Sequence, residues 1–169
     1  MSICFRAGEH LRTVAYDTVR PLAYQDAQVF LVCFCVADPD SLDNTLSKWY
    51  PEIREHCANT AVILCGCQVD LRNDKETIKE LSLVFKSPVT PEQGVNVSRQ
   101  VGATTYVETS SKHSAKAVRD AFEVAALAAL GRLNMNTCLV PRLQGPPRSK
   151  SKVDLKSELK DRAKSCSVM

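Results

Sequence analysis

Eight consecutive apolar residues, Val29-Phe30-Leu31-Val32-Cys33-Phe34-Cys35-Val36, constrain this chain more than any other feature. The run is short and rich in β-branched and aromatic residues. It reads as a strand buried on both faces, as in a parallel sheet covered by helices. Asp38-Pro39-Asp40-Ser41 then starts a helix, in which Leu42, Leu46, Trp49 and Ile53 recur at spacings of four, three and four and make one buried stripe. Residues 61–67 form a second apolar strand. Residues 74–85 read as a charged, weakly amphipathic helix with Ile78, Leu81 and Phe85 on one side.

Thr90-Pro91-Glu92-Gln93 is a strong helix start. Thr90 can cap, Pro91 suits the first helical position, and Gln93 completes a capping box. That helix runs to about Val101 and stops at Gly102. Residues 105–108 are a third, short strand, and residues 115–130 a long helix with Val118, Phe122, Ala125 and Ala129 along one face. Strand, helix, strand, two helices, strand, helix predicts a doubly wound, mostly parallel α/β sheet with right-handed crossovers. Ligands of such sheets bind beyond the C-terminal strand ends. Residues 1–131 are expected to form the domain. Residues 132–169, where Pro141, Pro146 and Pro147 join Ser- and Lys-rich sequence, are expected to form a flexible basic tail.

No stretch approaches the roughly 18–20 apolar residues of a membrane-spanning helix, and Met1 to Arg6 lacks a signal-peptide pattern, so the expectation is an intracellular protein. The eight cysteines fit that reading. Cys33 and Cys35 lie within one apolar strand, and Cys65 and Cys67 end another. They read as buried free thiols rather than as disulfides. Two Cys-x-Cys pairs invite a zinc site, but i, i+2 spacing in a strand only places both thiols on one face. No knuckle glycines or nearby histidines complete it, so no metal is predicted.

Charge is uneven. Residues 141–169 carry eight Lys/Arg against three acids, a net of +5, which leaves −2 on the first 140 residues of a chain whose total is +3. A basic tail on a mildly acidic body points to an anionic partner, either nucleic acid or an acidic membrane leaflet.

Two loops at strand C-termini carry polar groups the core does not require: Gly66-Cys67-Gln68-Val69-Asp70-Leu71-Arg72 and Glu108-Thr109-Ser110-Ser111-Lys112. An aspartate there can accept the paired N1–H and N2–H donors of guanine, and a Ser-Ser-Lys turn can offer backbone N–H groups to its carbonyl. Each alone is equally a turn cap. Together they favour a guanine pocket.

The segment Val19-Arg20-Pro21-Leu22-Ala23-Tyr24 resembles the "VRPLSY" stretch of Rho-type small GTPases, and Lys48-Trp49-Tyr50-Pro51-Glu52-Ile53 resembles their "KWxPEI" helix. Asp70-Leu71-Arg72 matches the end of their guanine motif "KxDLR", and the charged helix 74–85 lies at their insert. Cys57-Ala58-Asn59-Thr60, Gly66-Cys67, Ser87-Pro88-Val89-Thr90, Gln93-Gly94, Val118-Arg119-Asp120-Ala121-Phe122 and Ala163-Lys164-Ser165-Cys166 are similar to the Rnd subgroup. The resemblance implies a Ras-like fold and a guanine half-site of Gln68, Asp70, Leu71, Ser110, Ser111 and Lys112. It also implies GTP and Mg as cofactors, effector or regulator proteins as partners, and a role in actin organisation with little hydrolysis.

Departures qualify that expectation. The phosphate-cradling Gly-x-x-x-x-Gly-Lys-Ser/Thr occurs nowhere in the sequence. Glu9 and Arg12 stand at the Asp and Gly positions of the second-switch motif, and Thr13 stands where hydrolysing members hold glutamine. Gln68 replaces the lysine that covers the base. The resemblance therefore implies a fold without its N-terminal strands and phosphate loop, no catalytic residues, and no hydrolysis. The alternative is a truncated, membrane-tethered adaptor that binds no nucleotide. With the family's N-terminal strand missing, residues 29–36 should present an open sheet edge that only a fragment around Ser2 to Phe5 could cover.

The closing Cys166-Ser167-Val168-Met169 is a prenylation box, with Met favouring farnesyl. One prenyl chain anchors weakly, and the basic residues supply a second signal. This makes the anionic partner the membrane rather than nucleic acid. The cytoplasmic face of the plasma membrane, with a cytosolic fraction, is the expected location.

Overall fold

The computed structural model describes residues 2–6, as backbone, and residues 19–133. Residues 134–169, with Cys166, and positions Glu9, Arg12 and Thr13 lie outside the described residues. The long apolar run forms most of the second strand of a four-stranded parallel sheet: β1 (Ser2–Arg6), β2 (Ala27–Cys35), β3 (Ala61–Cys67) and β4 (Thr105–Glu108), in that order.

The helices are α1 (Pro39–Asn44), α2 (Tyr50–His56), α3 (Lys75–Leu83), α4 (Pro91–Gln100) and α5 (Ala115–Ala129). Side chains alternate across β2. Phe30, Val32 and Phe34 enter one core with Leu42, Trp49, Ile53 and Tyr106, whereas Val29 and Leu31 enter another with Val107, Ala121, Val124 and Ala125. Burial on both faces is what makes the run continuously apolar. The two-sided helix cover is the expected doubly wound arrangement.

The open edge expected along residues 29–36 is covered over its first half, Val29 to Val32. β1 pairs in parallel with β2 from Ser2 against Ala27 to Arg6 against Val32. The fragment that could cover the edge does so, and the pairing ends at Val32, short of Cys33 to Cys35.

Three helical expectations shift. The helix expected from Asp38 onward runs from Pro39 to His56 but contains a π-helical turn, Thr45–Trp49. Pro51 has no N–H to give and its ring crowds the preceding turn, so the wider turn ahead of it absorbs the conflict. Thr45 is thereby buried and Leu46 only half-buried. The α3 helix ends at Leu83, and Phe85 is fully exposed with φ of 56° rather than part of the helical face. The bonds Phe85 N–H to Ser82 O and Lys86 N–H to Leu81 O form a Schellman stop with a phenylalanine in the left-handed position usually taken by glycine. Gly102 (φ 64°) ends α4 by the same bonding pattern. On α5 the buried face is Ala121, Val124, Ala125 and Ala128, and Phe122 is 47% exposed. Small side chains let this helix lie close on the sheet, and that decides the face over the size of Phe122.

The two Rho-like segments meet in space. Arg20 donates to Glu52 Oε2 at 2.6 Å, the Tyr24 hydroxyl donates to Glu52 Oε1, and the Arg20 guanidinium lies 5.3 Å from the Trp49 ring centroid. Arg20 is buried and Glu52 half-buried, with side chains 4% and 16% exposed. In the same core, a Cβ on Gly94 would come within 2.5 Å of the Tyr106 ring, so glycine is what allows α4 to approach β4.

Candidate guanine-base site at the strand ends

Beyond the C-terminal ends of β3 and β4, backbone bonds join the two loops. Thr109 N–H donates to Gly66 O at 2.8 Å, and Val69 N–H donates to Thr109 O at 3.2 Å. Gln68 adopts a left-handed conformation (φ 58°), which turns the chain out of the strand into a 3-10 turn, Val69–Asn73. That turn carries Asp70 to the second loop. The Ser110 hydroxyl donates to Asp70 Oδ1 at 2.6 Å and accepts the His113 N–H at 3.2 Å. The Ser110 hydrogen bond, helped by the nearby Lys112 charge, holds the Asp70 carboxyl below its ordinary range. An ionised carboxylate at this place can accept a pair of N–H donors such as those on a guanine edge.

The structure brings Asp70 and Ser110 into direct contact and keeps Leu71 half-buried beside them. Ser111 and Lys112 are exposed on the adjoining turn. Gln68 is exposed, and its Oε1 accepts the Cys35 thiol at 2.8 Å.

Arg72 has a different task from its neighbours in the loop. Its Nε donates to Val89 O at 2.9 Å, and its two terminal nitrogens donate to the Glu108 carboxylate at 2.6 and 3.1 Å. The Tyr106 hydroxyl donates to the same carboxylate at 2.7 Å. Burial alone would lower the Arg72 pKa, but Glu108 outweighs it and the net shift is upward. Burial and then the Glu108 bond raise the Tyr106 phenol. This clamp ties the base loop to β4 and to the segment before α4. It was not among the site residues expected from sequence. A lone acidic residue at the end of an apolar strand was its only trace.

The base half of a guanine nucleotide site therefore fits Asp70, Ser110 and their loops. Among the described residues, no three carboxylate or imidazole groups converge at this site as metal ligands.

Comparisons with known proteins agree with this architecture. The family model described as "Ras family" matches residues 12–130. The chain is 43% identical over 164 residues to "Rho-related GTP-binding protein RhoE" of Homo sapiens and of Mus musculus, covering 91% of this chain and 66% of each relative. It is 44% identical over 127 residues to "GTP-binding protein rho5" of Schizosaccharomyces pombe, covering 75% of this chain and 62% of that protein. The chain thus spans just under two thirds of the length of these relatives.

Proposed function

Because the chain belongs to the Ras family, as a Rho-type member with Rnd-like character, we propose that it is a membrane-tethered signalling protein that recognises the guanine base and does not hydrolyse GTP. The observation that carries this reading is the 2.6 Å bond between Ser110 and Asp70, which joins the two base loops. The relatives' names describe GTP binding. In this chain the base supplies most of the affinity, because the sequence contains no Gly-x-x-x-x-Gly-Lys-Ser/Thr to hold phosphates.

The test is competition of GTP, GDP and guanosine against a fluorescent guanine nucleotide on the full chain. All three are expected to bind within about tenfold of one another, a spread of ~1.4 kcal/mol. Asp70→Ala is expected to remove the preference for guanosine over adenosine. A magnesium-dependent GTP affinity in the submicromolar range (about −8 kcal/mol or tighter) would overturn the proposal. The bond from Cys35 to Gln68, the residue at the base-covering position, favours a second reading. In that reading the chain is an adaptor that binds no nucleotide, and the same titration would then show no guanosine competition at all.

The tether rests on the Cys166-Ser167-Val168-Met169 box and the basic residues before it. By family likeness, effectors that act on the actin cytoskeleton are the partners at the cytoplasmic face of the plasma membrane. Cys166→Ser is expected to move the protein into the cytosolic fraction. Replacing Lys160, Arg162 and Lys164 by Gln should release only part of it, since each cation adds roughly 1 kcal/mol at an anionic leaflet. Fractionation of cells expressing each variant decides this, and unchanged membrane residence of Cys166→Ser would remove the anchor from the proposal.

A further inference from the structure

We propose that Cys33, Cys65 and Cys67 form a binding site for a thiophilic divalent ion of the zinc type at the C-terminal ends of β2 and β3. The site comes from strand register. Cys33 lies opposite Cys65 and Cys35 opposite Cys67, so the two Cys-x-Cys pairs stack side by side. Alternation places all four on one face of the sheet. The Sγ atoms of Cys33, Cys65 and Cys67 all lie within 4.8 Å of one another, and those of Cys65 and Cys67 are 3.9 Å apart.

A tetrahedral zinc with Zn–S bonds of about 2.3 Å needs sulfurs about 3.8 Å apart. The cluster therefore needs sulfur movements of about 1 Å or less, within the reach of small χ1 adjustments. The ligands sit on the two central strands, so folding has already met most of the entropy cost of assembling them. Packing against the α5-side core accounts for Cys65, which is buried, and in part for Cys33 and Cys67, which are half-buried. Their exposure is an entry path.

The fourth position belongs to Cys35 or to water. Cys35 lies beside Cys67 across the strands, and its thiol donates to Gln68 Oε1, a bond that a side-chain rotation breaks. The Thr109 hydroxyl, 3.7 Å from Cys65 Sγ, supplies an outer partner to the cluster. On binding, each thiol releases its proton to solvent as a sulfur–metal bond forms, and no electrons are transferred. The ion would lock β2 to β3 one residue before Gln68, directly beneath the base loops. This inference does not depend on nucleotide binding.

The experiment uses the reduced full chain and Co(II) as the probe. One equivalent is expected to give tetrahedral d–d bands and thiolate-to-metal charge transfer, both bleached when Zn(II) displaces it. Cys33→Ser, Cys65→Ser and Cys67→Ser should each weaken binding tenfold or more. Cys57→Ser should leave it unchanged, because Cys57 packs in the opposite core and its thiol faces Tyr24 O. With Cys35→Ser, reduced charge-transfer intensity identifies Cys35 as the fourth ligand, and unchanged intensity places water there. Either result keeps the three-thiol site.

A second readout needs no variant. Zinc should protect Cys33, Cys65 and Cys67 from alkylation, as mapped by peptide mass. No charge-transfer band, binding that persists in all three serine variants, or equal alkylation of the three with and without zinc would overturn the proposal.

Discussion

Glu108→Ala is expected to destabilise the protein by about 3–5 kcal/mol, the usual consequence of removing one partner from a buried ion pair. Glu108 accepts both terminal nitrogens of Arg72 and the hydroxyl of Tyr106, and the Arg72 and Glu108 side chains are 14% and 5% exposed. Its loss leaves a guanidinium and a phenol without their acceptor in a place water barely reaches. A domain stable by 5–15 kcal/mol overall would lose a large fraction of that margin, on the order of a third or more.

Urea unfolding of the two proteins measures the difference. A loss below about 1 kcal/mol, the worth of an exposed pair, would mean that the clamp is solvated in solution. Arg72→Leu combined with Glu108→Leu should recover much of the loss, since the uncompensated charge goes with its partner. The same network gives stability an alkaline limit. The Tyr106 pKa is raised in the folded state, so its contribution is complete below the pKa of an unfolded tyrosine, about 10, and is lost as pH rises beyond that value.

Glu52→Ala is the second large effect, expected at about 3 kcal/mol or more. Here the substitution removes the carboxylate to which both Arg20, 4% exposed and lying over Trp49, and the Tyr24 hydroxyl donate. The substitution separates the 3-10 turn Arg20–Tyr24 from α2, and so loosens the entry into β2. Trp49 is the only tryptophan in the sequence, so its fluorescence reports this contact directly. A red-shifted emission should accompany the lower urea midpoint. Glu52→Gln should lie between wild type and alanine, because the amide still accepts a hydrogen bond but carries no charge. Unchanged emission and midpoint in Glu52→Ala would show that Arg20 finds an adequate partner elsewhere.

Both clamps join segments that the sequence marks separately. Val19 to Tyr24 and Lys48 to Ile53 are recognisable as motifs, but nothing in their spacing says that Arg20 and Tyr24 converge on Glu52. Asp70-Leu71-Arg72 reads as a base motif, and the structure divides it. Asp70 faces Ser110 at the site, while Arg72 turns back to Glu108 and Val89.

Local chemistry alone determined the strands at 61–67 and 105–108 and the capping box at Thr90 and Gln93. Continuous apolar runs, caps and glycine stops act within a few residues, so they are legible without a fold. The tertiary structure decided what depends on distant partners. It set the buried face of α5, where close packing of alanines prevailed over Phe122, and the pairing of Ser2–Arg6 along β2. It also aligned Cys33 with Cys65 and Cys35 with Cys67. Register between strands is a long-range property, set by how two elements pack against shared helices. Spacing within each Cys-x-Cys pair could place two thiols on one face, and only the pairing of β2 with β3 could bring a third within 4.8 Å of them.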